Sequence, residues 1–204
     1  HRVCGLFGPN GSQAPGRLTS ATATAVVEAA WPWALTHSRL ENADPAKPWH
    51  IWGSENHDAM RDCSCWAIAA MAKEHPAFAE RRYADGSTPV EQYAAWTAFL
   101  KVQLRERLRK GMFVEINSPG YVKYTLQTVY NYVDLSPDPG LRTLAESLLT
   151  LWWADWAQEQ INSVRGGASC RAYQTQCREA ASDSAASMAW YYFGTGTPRN
   201  GHPG

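Results

Sequence analysis

The sequence predicts an all-α protein, and three observations lead to that class. Apolar residues recur at spacings of three and four in several stretches, which is the spacing of one face of an α-helix. Two pairs, Thr88-Pro89 and Asp138-Pro139, mark helix starts, because proline at the first helical position gives up no helical hydrogen bond. No stretch shows the apolar and polar alternation typical of a β-strand.

Composition limits the classes of function. The 204 residues are enough for one domain with a sizeable core. Lys plus Arg and Asp plus Glu number 19 each, so no overall basic field attracts a nucleic acid or an anionic membrane surface. No apolar run approaches the roughly 20 residues of a transmembrane helix. The ten tryptophans suit a sugar-binding cleft, and they also suit a large helical core.

The first helix is predicted to be short. Residues 1–19 are rich in glycine and proline without periodicity, so we expect an irregular lead-in. Helical spacing begins at Ser20 and is predicted to stop at Ala30, because Pro32 removes a backbone donor and crowds the preceding turn. Residues 36–57 follow as a polar and aromatic loop. Connectors of this length are usually functional or disordered, and the tryptophans here favour function.

The next two helices have clear limits. The second is predicted over residues 58–74, and a proline two positions later prevents its continuation. The third begins at residues 88–91, where a threonine cap, a first-turn proline and a capping-box glutamate follow one another. Gly111 is expected to end it.

Three further helices are predicted over residues 119–133, 138–164 and 177–192, before a Gly/Pro-rich tail at 194–204. Six antiparallel helices make three helical hairpins, so residues 20–193 are expected to form part or all of an (α/α) toroid. A closed toroid needs roughly twice this length, and an additional chain or a missing segment is expected to complete it. A plain helical bundle is the alternative.

Polar residues able to carry chemistry gather at the ends of these helices, in segments 54–57, 115–121 and 165–173. If alternate helices run parallel, the first two segments lie at helix N-termini on one end of the fold. Free backbone N–H groups and the helix dipole favour an anion there. The third segment leaves a helix C-terminus through the Gly166-Gly167 pair.

The order of these segments carries a family resemblance. It rests on residues 52–61, on 115–121 with Tyr124-Thr125-Leu126, on 138–142, and on 165–167 with Arg171 and Tyr173. In this order they resemble the central part of helical-barrel polysaccharide lyases that act on alginate and glucuronan. The resemblance covers roughly residues 50–175. It implies β-elimination on an anionic uronic-acid polymer, without a metal or other cofactor.

The resemblance also suggests roles. A lyase must neutralise the substrate carboxylate, remove the C5 proton and protonate the departing O4 oxygen. Asn56, Arg171 and, if protonated, Glu115 are expected at the carboxylate, His57 is the candidate base, and Tyr121 or Tyr173 is the candidate acid or combined acid and base. Trp52, Glu55, Asn117, Tyr124 and Arg165 are the expected substrate-binding residues.

Each role has a simpler structural alternative. Asn56 and His57 precede a helix and can cap it. Tyr121 can pack against the next helix, and Arg171 can pair with a surface carboxylate. The remaining histidines show no ligand spacing, so no metal site is predicted.

Two other functions fit some of the same residues. A glycoside hydrolase on a helical toroid needs two carboxyl groups roughly 5–9.5 Å apart, and Glu55, Asp58 and Glu115 are the candidates. A non-catalytic carbohydrate-binding helical domain fits the short chain and the tryptophan content.

The cysteines bear on location. Cys170 and Cys177 are close enough in sequence to close a short loop as a disulfide, which suits an exported protein. The chain begins at His1 instead of methionine, and we expect a leader or preceding region to have been removed. A secreted, extracellular or periplasmic protein is therefore expected.

Overall fold

The computed structural model describes residues 1–173 and 183–194, which are mostly helical. The described helices are α1 (Arg2–Phe7), α2 (Ser20–His37), α3 (Glu55–Glu74), α4 (Pro89–Lys110), α5 (Val122–Leu135), α6 (Pro139–Gln158) and α7 (Ser184–Phe193). Two short antiparallel strands, β1 (Gln160–Ile161) and β2 (Val164–Arg165), form a hairpin after α6. The prediction of an all-α class is confirmed.

Helices α3 to α6 surround the main core. Helix α3 packs against α4 and α5, and α6 packs against the same two helices. The largest fully buried side chains of this core are Trp66, Trp96, Trp152, Leu100, Leu104, Leu126, Leu141 and Leu148. Since the chain reverses direction between successive helices, the N-termini of α3 and α5 and the C-termini of α4 and α6 lie at one end.

Helix α2 packs on the outside of α3 and continues through Pro32, so the predicted stop at Ala30 is wrong. Trp31 and Ala34, on either side of the proline, are buried in a second core with Phe78. Proline removes only one helical hydrogen bond, and burial on both sides of it holds the helix together.

Helix α4 follows its prediction, because the Thr88 and Glu91 capping box is present and Gly111 caps the C-terminus. Helix α3 begins at Glu55, three residues before the predicted start. Helix α5 begins at Val122 and not at residue 119, and in the turn before it the Ser118 hydroxyl accepts a hydrogen bond from the backbone N–H of Tyr121.

The predicted fifth helix is too long at its C-terminus. Helix α6 ends at Gln158, and the chain turns back through Asn162 and Ser163, whose φ values of 50° and 64° are left-handed. Two successive left-handed residues fit the tight turn of a β-hairpin. The expectation that the chain holds no strand is therefore wrong at residues 160–165.

The predicted sixth helix starts at Cys177, outside the described residues, and its described part begins at Ser184 with Asp183 as the cap. The expected Cys170–Cys177 pairing and most of the predicted tail also lie outside them. Within the lead-in that was expected to be irregular, residues 2–7 form α1. None of the helices that the structure describes is long and apolar enough to cross a membrane.

Candidate functional site

The three polar segments meet at one end of the four-helix core. The backbone N–H of Glu115 donates to Oε2 of Glu55 at 2.8 Å, which joins the start of α3 to the segment before α5. Arg165 donates to the carbonyl oxygen of Ile116 at 3.1 Å, which joins the hairpin after α6 to the same segment.

Four of the expected catalytic residues contact one another here. Arg171 forms a salt bridge with Oε1 of Glu115, and its guanidinium carbon lies 4.2 Å from the centre of the Tyr121 ring. The hydroxyl oxygens of Tyr121 and Tyr173 are 2.5 Å apart. We call Glu115, Tyr121, Arg171 and Tyr173 the tyrosine–arginine cluster.

The cluster runs from the interior to the solvent. Glu115 is 5% exposed, the Arg171 side chain is 40% exposed and Tyr173 is 56% exposed. Arg171 is therefore fixed at one nitrogen by a buried carboxylate while part of its guanidinium faces solvent. Oε2 of Glu115 is buried and has no hydrogen-bond partner in the described part of the chain.

Arg171 also has an unusual backbone. Its φ of 51° lies in the left-handed region, which is sterically unfavourable for a residue with a Cβ atom. Surrounding contacts must hold such a conformation, and strained residues of this kind cluster at ligand sites.

The two phenols share one hydrogen bond, in which either hydroxyl can be the donor. The hydrogen bond with Tyr173 raises the pKa of Tyr121 above its ordinary value of 10, with a smaller contribution from desolvation, while Arg171 acts in the opposite direction. Tyr121 therefore keeps its proton at neutral pH.

Glu55 lies beneath the cluster and not on its surface. It is buried, and its Oε1 accepts from Nη1 of Arg107 at 2.6 Å while its Oε2 accepts from the backbone of Glu115. Arg107 is also buried and donates to the carbonyl oxygen of Met112 at 3.0 Å. The expected substrate-binding residue Glu55 thus supports the segment that carries Glu115.

Ser54 connects the two remaining catalytic candidates. Its hydroxyl donates to Oδ1 of the buried Asn56 at 2.9 Å and lies 2.8 Å from Nδ1 of the exposed His57. A serine hydroxyl has one proton, so His57 is the donor in the second bond. In the neutral imidazole, Nε2 of His57 then carries the free lone pair.

The guanidinium nitrogens of Arg165 donate hydrogen bonds to other groups of the protein. Nε donates to Glu159 at 2.8 Å, Nη2 donates to Asp155 at 2.8 Å, and Nη1 holds the Ile116 carbonyl. Its side chain is almost fully buried. Arg165 therefore fastens the hairpin after α6 to the site, which differs from the expected contact with substrate.

The other expected binding residues lie nearer the surface. Trp52 is 60% exposed, and its backbone N–H donates to Asp58 at 2.6 Å. Tyr124 is partly buried with the Lys123 ammonium 5.0 Å from its ring centre. Asn117 is partly buried, and its amide reaches the Ala168 carbonyl at 3.5 Å.

Sequence reasoning missed Arg107 and Trp49. The guanidinium carbon of Arg107 lies 5.2 Å from the ring centre of Trp49, which is partly exposed at this end. Arg107 follows Leu104 by three residues on the apolar stripe of α4. A charged residue on such a stripe signals a buried partner, and that signal was present in the sequence.

Comparisons with protein-family models, curated proteins and solved structures find no match to this chain. Among the residues that the structure describes, no group of three or more His, Cys, Asp and Glu side chains is placed to hold a metal ion. Fold and site together define a helical protein with a guanidinium and two phenols at one end of its core.

Proposed function

We propose that the chain is a polysaccharide lyase that cleaves an alginate-like or glucuronan-like uronic-acid polymer by β-elimination. The observation that carries the proposal is the Tyr121–Tyr173 hydroxyl pair beside the partly exposed guanidinium of Arg171. The site thus combines proton-transfer groups with a fixed cation, and these are the two requirements of elimination next to a carboxylate.

Arg171 binds the substrate carboxylate in this proposal. A guanidinium forms paired hydrogen bonds with a carboxylate, and neutralising the carboxylate makes the adjacent C5 proton easier to remove. Glu115 then acts as a positioning residue that orients Arg171 through their salt bridge. This replaces the expectation that a protonated Glu115 contacts the substrate itself.

Tyr121 protonates the leaving group. A base removes the C5 proton, the C4–O4 bond breaks, the electron pair forms a C4=C5 double bond, and Tyr121 gives its proton to O4. The raised pKa of Tyr121 keeps that proton available. Tyr173 and Nε2 of His57 are the two candidates for the base.

Exposed aromatic rings at this end provide surfaces for sugar rings. Trp52 and Trp49 lie on the loop before α3, and both are exposed enough to stack against the apolar face of a sugar. Helices α3 to α6 contribute two hairpins of the proposed toroid, and closing a ring requires hairpins from an additional chain or segment. Export is part of the same proposal, because polymeric uronates are extracellular substrates.

The hydrolase alternative has less support. It needs two carboxyl groups free to act on one glycosidic bond. Glu55 is buried with both oxygens occupied, Asp58 holds the backbone of Trp52 and the side chain of Arg61, and Glu115 holds Arg171. A non-catalytic binding domain would use the same arginine and tryptophans without turnover.

The test is the ultraviolet absorbance of unsaturated product with alginate, glucuronan and hyaluronan as substrates. We expect a rise with one polymer and a loss of about 10²–10⁴ in rate for Tyr121→Phe, which keeps the ring against Arg171. Tyr83→Phe is the matched control and should retain activity, because Tyr83 lies in the second core and its hydroxyl has no hydrogen-bond partner among the described residues. Comparing Tyr173→Phe with His57→Ala identifies the base.

Other outcomes point elsewhere. New reducing ends without absorbance would indicate a hydrolase. Binding of a polyuronate without any product, unchanged in Tyr121→Phe, would indicate a binding domain.

A further inference from the structure

A groove of about 1000 Å³ lies between α5, α6 and α7 and shares no residue with the tyrosine–arginine cluster. Its volume is at the upper end of the roughly 300–1,000 Å³ typical of ligand pockets. We propose that this groove binds a neutral oligosaccharide. The inference rests on the lining of the groove and does not depend on the proposed lyase activity.

One wall of the groove presents aromatic rings that the protein holds in place. The Tyr192 ring stacks on Tyr130 with centres 5.7 Å apart and planes 10° apart, and Trp153 packs against Tyr192 at 5.5 Å. The Trp153 indole N–H also donates to the Tyr130 hydroxyl at 2.7 Å. Tyr192 nevertheless remains 54% exposed, and its neighbour Tyr191 is 59% exposed. Rigid, exposed rings are suited to the C–H face of a sugar, because little side-chain entropy is lost on binding.

The lining of the groove also contains planar polar groups. Gln127 on α5 and Glu146 on α6 both line the groove. Within residues 1–173 and 183–194, no protein group pairs with either side chain. Planar amides and carboxylates can bond two adjacent sugar hydroxyls at once. A lipid would leave these groups unpaired, which carries a free-energy cost.

The charge of the groove favours neutral sugars over anionic ones. Arg2 forms a salt bridge with Asp134 at 2.5 Å, so these two charges offset each other. Glu146 remains as a net negative charge in the lining. A polyuronate or a phosphorylated ligand would be repelled, whereas a neutral sugar can contact both the rings and the polar groups.

The test is calorimetric titration of the full chain with neutral hexasaccharides of glucose, mannose and xylose and with an alginate hexasaccharide. We expect one neutral hexasaccharide to bind, and Tyr191→Ala and Gln127→Ala each to weaken that binding at least about tenfold. Trp33→Ala removes an exposed ring on α2 and is the matched control. Tyr121→Phe should leave this binding unchanged, which separates the groove from the lyase site.

Glu146→Gln provides a second readout. It should increase the affinity for the alginate hexasaccharide at the groove, because it removes the net negative charge of the lining. The proposal is overturned if no neutral hexasaccharide binds at millimolar concentration, or if Tyr191→Ala and Gln127→Ala bind as the parent chain does. Self-association that Tyr191→Ala abolishes would overturn it as well, because the groove would then be an interface between copies.

Discussion

The backbone N–H of Glu115 lies 2.8 Å from Oε2 of Glu55, and this bond ties the tyrosine–arginine cluster to the first residue of α3. The other oxygen of Glu55 holds Arg107, and Arg171 in turn holds Glu115. A continuous series of polar contacts therefore runs from a buried ion pair to the exposed guanidinium. The orientation of Arg171 therefore depends on the buried groups beneath it.

The first prediction concerns the buried ion pair. Arg107→Met leaves the Glu55 carboxylate buried without its partner, and removing one member of such a pair costs about 3–5 kcal/mol. We expect the free energy of unfolding, measured in urea, to fall by that amount. Arg109→Met is the matched control, because Arg109 is exposed and its pair with Glu106 contributes less than about 1 kcal/mol. Equal effects of the two variants would contradict a stabilising role for Arg107.

The second prediction concerns pH. Asp62 is buried, and desolvation raises its pKa to about 7 although Arg61 lies 2.9 Å away and lowers it. An unfolded aspartate titrates near 3.9, so the folded state binds the proton more tightly. The free energy of unfolding should therefore fall as pH rises from about 4 to about 7.

Asp62→Asn should remove most of that slope in urea titrations across this pH range. Asp44→Asn is the control, because Asp44 is partly exposed and hydrogen bonds from Ala46 and Lys47 lower its pKa. The stability that Asp44 contributes is lost on acidification below about pH 4, which is outside the pH range over which the effect of Asp62 is expected. A slope that persists in Asp62→Asn would assign the effect to another group.

Local signals in the sequence correctly predicted the starts of α4 and α6. The Thr88 cap with Glu91 and the Asp138 cap with Pro139 act between neighbours in the chain, and the structure contains both. The predicted helix end before Pro32 is wrong, because Trp31 is buried against α3 and the segment after it. Rules based on neighbouring residues do not include such contacts. The predicted end of α6 is wrong, because Asn162 and Ser163 adopt left-handed conformations that non-glycine residues rarely take.

The sequence predicted which segments form the site better than it predicted the role of each residue. Helix direction places the polar segments at one end, and the hydrogen bond between Glu115 and Glu55 joins two of them. Which polar side chains face inward depends on partners distant in sequence. Arg165 and Glu55 bind such partners within the protein. Spacing along the sequence alone could not distinguish these two residues from Arg171.

The third prediction concerns Trp52. Because the ring is 60% exposed, Trp52→Ala should change the free energy of unfolding by no more than about 0.5 kcal/mol. The backbone bond from residue 52 to Asp58 does not involve the ring and should persist. We expect a severalfold rise in KM for the polymer with kcat unchanged, measured by product absorbance. The same rise in Trp33→Ala would show that the effect is not specific to this end of the protein.

The last prediction separates charge from backbone strain at Arg171. Arg171→Gly and Arg171→Ala both remove the guanidinium, so both should weaken binding of acidic oligosaccharides much more than binding of neutral ones. Only glycine adopts a φ of 51° without a steric cost, and that cost is about 1–2 kcal/mol for a residue with a Cβ atom. Arg171→Gly should therefore be more stable than Arg171→Ala by about 1 kcal/mol in urea unfolding. If the two variants bind acidic sugars differently, the loop conformation matters for recognition. If both variants bind acidic and neutral sugars equally less tightly, Arg171 does not recognise the carboxylate.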